Sequence, residues 1–66
     1  MFKLKIDKMH CMSCFRNIDD AIKEIDGDAK LAAKIEERIL EVDSSKLSLE
    51  QVMSAIEEAG YPTESL

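Results

Sequence analysis

The chain has no tryptophan, one tyrosine, two phenylalanines, one histidine, one proline and two cysteines among its 66 residues. Each scarcity removes a class of function. Phe2, Phe15 and Tyr61 are the whole aromatic set, which leaves little from which to wall a deep substrate pocket. His10 stands alone, so a histidine-based acid–base constellation lacks partners. No apolar run approaches the about 20 residues needed to span a bilayer. The opening Met1-Phe2-Lys3-Leu4-Lys5 alternates instead of forming the apolar block of a secretory signal. Basic residues are also short: 9 Lys and Arg against 14 Asp and Glu give a net charge of -5. Nucleic-acid binding needs clustered cations to neutralise phosphates, so it is disfavoured. A disulfide between Cys11 and Cys14 would close too small a loop to staple a fold. These absences predict a cytoplasmic location with reduced thiols, where a close Cys pair serves metal binding or redox chemistry. The start at Met1 reads as a free-standing protein, although an excised fragment can also begin with Met.

What is present suits a small globular domain covering residues 1–66: 45% hydrophobic and 35% charged, with one modest core. Residues 2 to 7 alternate, Phe2, Leu4 and Ile6 against Lys3, Lys5 and Asp7, which predicts a half-buried strand. Ile18, Ala21, Ile22 and Ile25 recur at spacings of three and four and predict a helix from about Ser13 to Ile25. Gly27 is the expected left-handed residue after its end. Ala29, Leu31, Ala33 and Ile35 alternate with Lys30, Ala32 and Lys34 and predict a second strand. It turns at Glu36-Glu37-Arg38 into a third strand holding Leu40 and Val42. The Ala, Lys and Glu content leaves a helix over 29–41 as the competing reading.

The second helix is the best marked. Ser48 and Gln51 have capping-box spacing, and Leu47 with Val52 has that of a hydrophobic staple. Leu49, Val52, Met53, Ile56 and Ala59 form its predicted buried stripe, and Gly60 stops it. A short last strand is expected over 63–66. The order β-α-β-β-α-β predicts an α+β, ferredoxin-like fold, with a four-stranded antiparallel sheet and both helices on one face. Ile6, Ile18, Ile22, Leu31, Leu40, Val52 and Ile56 are the expected core.

Cys11 and Cys14 lie at the junction of the first strand and first helix. Two intervening residues let the sulfurs converge. The free N–H groups and positive dipole end of a helix N-terminus favour thiolate over thiol. Thiolates select soft cations such as Cu(I) or Zn(II) over Mg(II) and Ca(II). A structural zinc site wants four N or S ligands, so two sulfurs alone point to Cu(I). His10 is a solvated loop residue or a nitrogen ligand that keeps Zn(II) open. Met9 reads as a core residue or a thioether ligand. Met12 faces solvent, and Phe15 shields one side of the loop. Tyr61 is a half-buried lid or a hydrogen-bonding neighbour of the site.

The run Met9-His10-Cys11-Met12-Ser13-Cys14, placed after a strand and before Ile18, resembles the M-x-C-x-x-C signature of the heavy-metal-associated domain family. The resemblance extends over essentially the whole chain, including Gly60-Tyr61 before the last strand. It implies copper chaperones, N-terminal domains of copper and zinc P-type ATPases, or mercury-binding carriers. By that resemblance Cys11 and Cys14 are the ligands, Met9 packs beneath the metal loop, and Tyr61 approaches from the opposite loop. Two positions depart from the family pattern: His10 replaces a small hydroxyl residue, and Asp28 follows Gly27 where Val is common.

Lys5, Lys8 and Arg16 cluster around the motif while most acids lie elsewhere, so they are candidate docking residues for an acidic partner face. The expected function is metal transfer without catalysis, by ligand exchange to the matching domain of a copper-transporting P-type ATPase. The chain would act as a monomer or a metal-bridged dimer. Zn(II) and Hg(II) remain alternative cargoes, and a domain excised from a transporter is an alternative source. A C-x-x-C thiol–disulfide oxidoreductase is the enzymatic alternative, though the chain is short for a thioredoxin-like βαβ pattern.

Overall fold

The computed structural model describes residues 1–66. Its elements run β1 (Phe2–Lys5), α1 (Met12–Ile25), β2 (Lys30–Lys34), β3 (Ile39–Asp43), α2 (Leu49–Glu58) and β4 (Glu64–Ser65). The four strands form one sheet in the order β2-β3-β1-β4, with every neighbouring pair antiparallel. This is the β-α-β-β-α-β, ferredoxin-like arrangement that the periodicity predicts, and residues 29–41 form a hairpin, not a helix.

Period-two alternation turns Leu4, Leu40 and Val42 inward, and Ile18, Ile22, Val52 and Ile56 from the two helices meet them, all fully buried. Burying one such side chain is worth about 1.5–3 kcal/mol. Ile6 and Met9 join the same core, so the segment between β1 and α1 is anchored at two points. The β1 strand is shorter than expected, but pairing continues locally: the Ile6 amide donates to the Arg38 carbonyl at 2.8 Å. Arg38 itself has φ 60, the left-handed residue of the β2–β3 turn.

Several expectations need correction. Leu31 is only half-buried, because β2 is an edge strand with one neighbour. The last strand is two residues, Glu64–Ser65, pairing only with Lys5 and Leu4. Ile25 is 51% exposed, since Ser54 and Ala55 of α2 line the groove beside it and are too short to cover it. Ala59 is exposed at the C-cap of α2. Gly27 is not left-handed; Gly60, at φ 99, is the one glycine that is.

Asp26 replaces the expected glycine device at the end of α1. Its backbone turns extended, and its amide still reaches the Ile22 carbonyl. Its carboxylate accepts from the Asp28 amide at 3.1 Å and from the Ser44 hydroxyl at 2.6 Å. Ser44 Oγ in turn accepts from the amides of Lys46 and Leu47. A nearly buried carboxylate therefore ties the end of α1 to the β3–α2 loop. At the start of α2, Ser48 and Gln51 form the predicted reciprocal capping box.

The Ser44 hydroxyl, with help from the Asp28 amide and Lys46, holds the Asp26 carboxyl below its ordinary value of 3.8. A depressed folded pKa stabilises the fold fully above the unfolded value and loses that contribution as pH falls through the folded one. Thermal melts of Ser44→Ala should lie below wild type at neutral and mildly acidic pH. The gap should narrow only below pH 3.8. Gly60→Ala should destabilise by about 1–2 kcal/mol in urea unfolding, because an added β-carbon meets nothing within 4 Å and only the positive φ is strained.

Candidate metal centre

Cys11 occupies the N-cap of α1 with extended backbone (φ -155), and Cys14 sits within the first turn. Geometry places Cys14 four residues before buried Ile18 on one helical stripe, so its side chain packs against the core. Cys11, ahead of the helix, stands free of that stripe. The sulfurs approach to 3.4 Å, within hydrogen-bonding distance for sulfur, and both cysteines are free and half-buried.

No side-chain hydrogen bond caps α1, and no acidic residue lies in its first turn. The anion that this helix end favours is therefore the Cys11 sulfur itself. The Ser13 hydroxyl lies 3.3 Å from Cys11 Sγ and is the largest influence on it. The Cys14 amide and thiol act in the same direction, and the Ser13 amide adds a smaller share without the geometry of a full capping bond. Together they outweigh desolvation and lower the Cys11 pKa from 9.0 to about 6. Ser13 was read from the sequence only as a helix boundary; its hydroxyl two residues from a cysteine was the available signal.

His10 is exposed, with Nδ1 3.9 Å from Cys14 Sγ. That nitrogen also lies 2.8 Å from the Lys8 carbonyl, which can only accept, so Nδ1 carries the proton. It cannot bind an ion while it donates there. No set of three or more His, Cys, Asp or Glu side chains is arranged to hold a metal. Met9 is fully buried beneath the loop, Met12 is 54% exposed, and half-buried Phe15 packs against the core. Tyr61 also packs on the core, and its phenol oxygen accepts from Asn17 Nδ2 at 3.1 Å. Asn17 drew no attention in the sequence, because its partner is 44 residues away.

Lys8 and Arg16 are exposed and Lys5 is half-buried; none of them takes part in the three ion pairs, Lys3–Glu41, Lys23–Asp19 and Lys46–Asp28. The surface grooves lie along the α1–α2 seam and beside β2, and none is lined by Cys11 or Cys14. The pair thus sits at the start of α1, outside these grooves. No helix is long and apolar enough to cross a membrane.

A strand–loop–helix unit presenting two convergent sulfurs on this fold defines a soft-metal-binding class of domain. The sequence pattern of the heavy-metal-associated domain family matches residues 3–62, and the chain belongs to that family. It is 32% identical to a mercuric transport protein periplasmic component of Pseudomonas fluorescens, over 91% of this chain and 68% of that protein. It is 28% identical to the copper chaperone CopZ of Bacillus subtilis, over 88% and 87%. Among solved structures, a gold binding protein superposes with a TM-score of 0.93 at 29% identity, covering 100% of both chains. The copper chaperone Atx1 from Synechocystis PCC6803 gives 0.92 at 25% identity, covering 97% of this chain and 100% of that one. The N-terminal domain of ZntA gives 0.85 at 26% identity, covering 98% and 89%.

Ultraviolet thiolate absorbance of the metal-free protein should rise in a step near pH 6, assigned to Cys11 by its loss in Cys11→Ser. Removing the Ser13 hydroxyl in Ser13→Ala should move that midpoint upward. An unmoved midpoint would show that the hydroxyl is not what stabilises the thiolate.

Proposed function

We propose that residues 1–66 act as one metal-carrier domain that holds Cu(I) between the thiolates of Cys11 and Cys14 and passes it to a partner, without catalytic turnover. The observation that carries this reading is the pair of sulfurs 3.4 Å apart at the start of α1, with no group of three or more His, Cys, Asp or Glu arranged to hold a metal. Zinc wants four ligands, whereas a soft ion of low coordination number is satisfied by two thiolates. A metal–sulfur bond of about 2.3 Å requires sulfurs about 4.6 Å apart for linear coordination. The pair must therefore open slightly, and Cys11, ahead of the helix and on an exposed segment, is the sulfur free to move.

Transfer proceeds by exchange of ligands. An incoming thiolate forms a third sulfur–copper bond and one of the two original bonds breaks; a second incoming thiolate then displaces the remaining one, and the protons given up by the partner's thiols pass to the released sulfurs or to solvent. Copper stays Cu(I) throughout. The acceptor is the matching two-cysteine domain of a metal-transporting P-type ATPase, and Lys5, Lys8 and Arg16 guide an acidic face of that partner onto the loop. The work belongs to the cytoplasm, where thiols remain reduced. Relatives named for copper and for gold support a soft-metal cargo.

Hg(II) is the second reading, favoured by the 32% identity to the mercuric transport component. Two thiolates also satisfy Hg(II), so competition must decide. In anaerobic titrations against a chelator, wild type should bind one Cu(I) per chain. Losing a residue that only supports a ligand costs about 10–100-fold. Cys11→Ser and Cys14→Ser should therefore each weaken Cu(I) more than about 100-fold. Tyr61→Phe and His10→Ala should stay within about tenfold, roughly 1.4 kcal/mol. A large Cu(I)-specific loss in His10→Ala would place imidazole on the metal and defeat the two-thiolate assignment. Displacement of bound Cu(I) by Hg(II) without recovery at cellular thiol concentrations would transfer the cargo assignment to mercury.

A further inference from the structure

We propose that Asn17 is a positioning residue that latches Tyr61 beside Cys14 and so governs how readily an incoming ligand reaches the Cys14 sulfur. The tyrosine is delivered by the end of α2. Gly60, at φ 99, lets its own amide reach the Glu57 carbonyl and the Tyr61 amide reach the Ile56 carbonyl. These are the paired bonds of a Schellman motif, with Tyr61 at the position whose side chain folds back on the helix. Its ring packs on the core that Cys14 also touches.

Asn17 completes the placement. It follows Cys14 by three residues, so the two share a helix face. Helical side chains lean towards the N-terminus, which carries the Asn17 amide over the turn that holds Cys14. From there Nδ2 donates to Tyr61 Oη at 3.1 Å, the one side-chain hydrogen bond between α1 and the α2–β4 connection. Cys11 has no such neighbour: its contacts are the Ser13 hydroxyl, the Cys14 sulfur and helix amides. The hydrogen-bonded phenol is therefore held within about one helical turn of Cys14 and has no counterpart beside Cys11.

The bond is exposed and competes with water, so it opens readily. It is not a stability device, because alanine is the better helix former at position 17. Asn17→Ala should fold with an unchanged or slightly higher melting temperature. What changes is access.

The inference rests on Cys11 and Cys14 being the cargo ligands, but its first test needs no metal. Apo wild type, Asn17→Ala, Tyr61→Phe and the double variant are treated with iodoacetamide at fixed pH, and modification of each cysteine is followed by peptide mass. Cys14 modification should rise about fivefold in Asn17→Ala and in Tyr61→Phe. The double variant should rise no further, and Cys11 rates should stay level. A wild-type Cys14 rate in Asn17→Ala, a rise shared equally by Cys11, or multiplying effects in the double variant would each overturn the latch. In the second arm, Cu(I)-loaded Asn17→Ala should release its ion to a chelator about fivefold faster, with equilibrium affinity within about tenfold. If wild type holds no Cu(I) while the alkylation order appears, the cargo assignment falls and the latch stands.

Discussion

The junction between β1 and α1 is the constraint on which the rest depends. A helix must begin there with backbone amides that nothing neutral caps. A chain segment anchored at two points must deliver the first cysteine to that spot, and Ile6 and Met9 do so by filling the core on the approach. An unsatisfied helix start is ordinarily a defect that Ser, Thr, Asn or Asp repairs. Here the vacancy favours a negative sulfur, and Ser13 reinforces it from inside the helix. Thiolate stabilisation and helix energetics therefore share the same few amides.

The two ends of α1 solve opposite problems. Its start exposes positive potential on an open loop, whereas its end is closed by Asp26, a nearly buried carboxylate held by Ser44 and the Asp28 amide. The closed end fixes the helix against the β3–α2 loop, so the open end can stay accessible without the helix drifting. Tyr61 reaches the same helix from the other side through the turn at Gly60.

The fold was legible because periodicity and punctuation agreed. Phe2, Leu4 and Ile6 alternate, Ile18 and Ile22 are four apart, and Ser48 with Gln51 marks the start of α2. The Cys11/Cys14 pair was equally visible, since adjacent positions need no tertiary information. What escaped notice depends on residues distant in sequence or on side chains replacing a backbone device. Gly27 looked like the natural end of α1, but Asp26 achieves the stop with its carboxylate. Ser44 gave no sign of its partner 18 positions away. Leu31 looked like core until the strand order put β2 at the edge. Asn17 on the polar side of a helix is unremarkable until Tyr61 is placed against it.

The sheet edges carry a separate consequence. One edge, β4, is only two residues long, and the other, β2, carries exposed Lys30 and Lys34 on a strand of weak formers. An incoming strand finds too few free backbone groups on one side and uncompensated positive charge on the other. The sheet is thereby guarded against runaway stacking while the thiol pair stands apart from it at the start of α1.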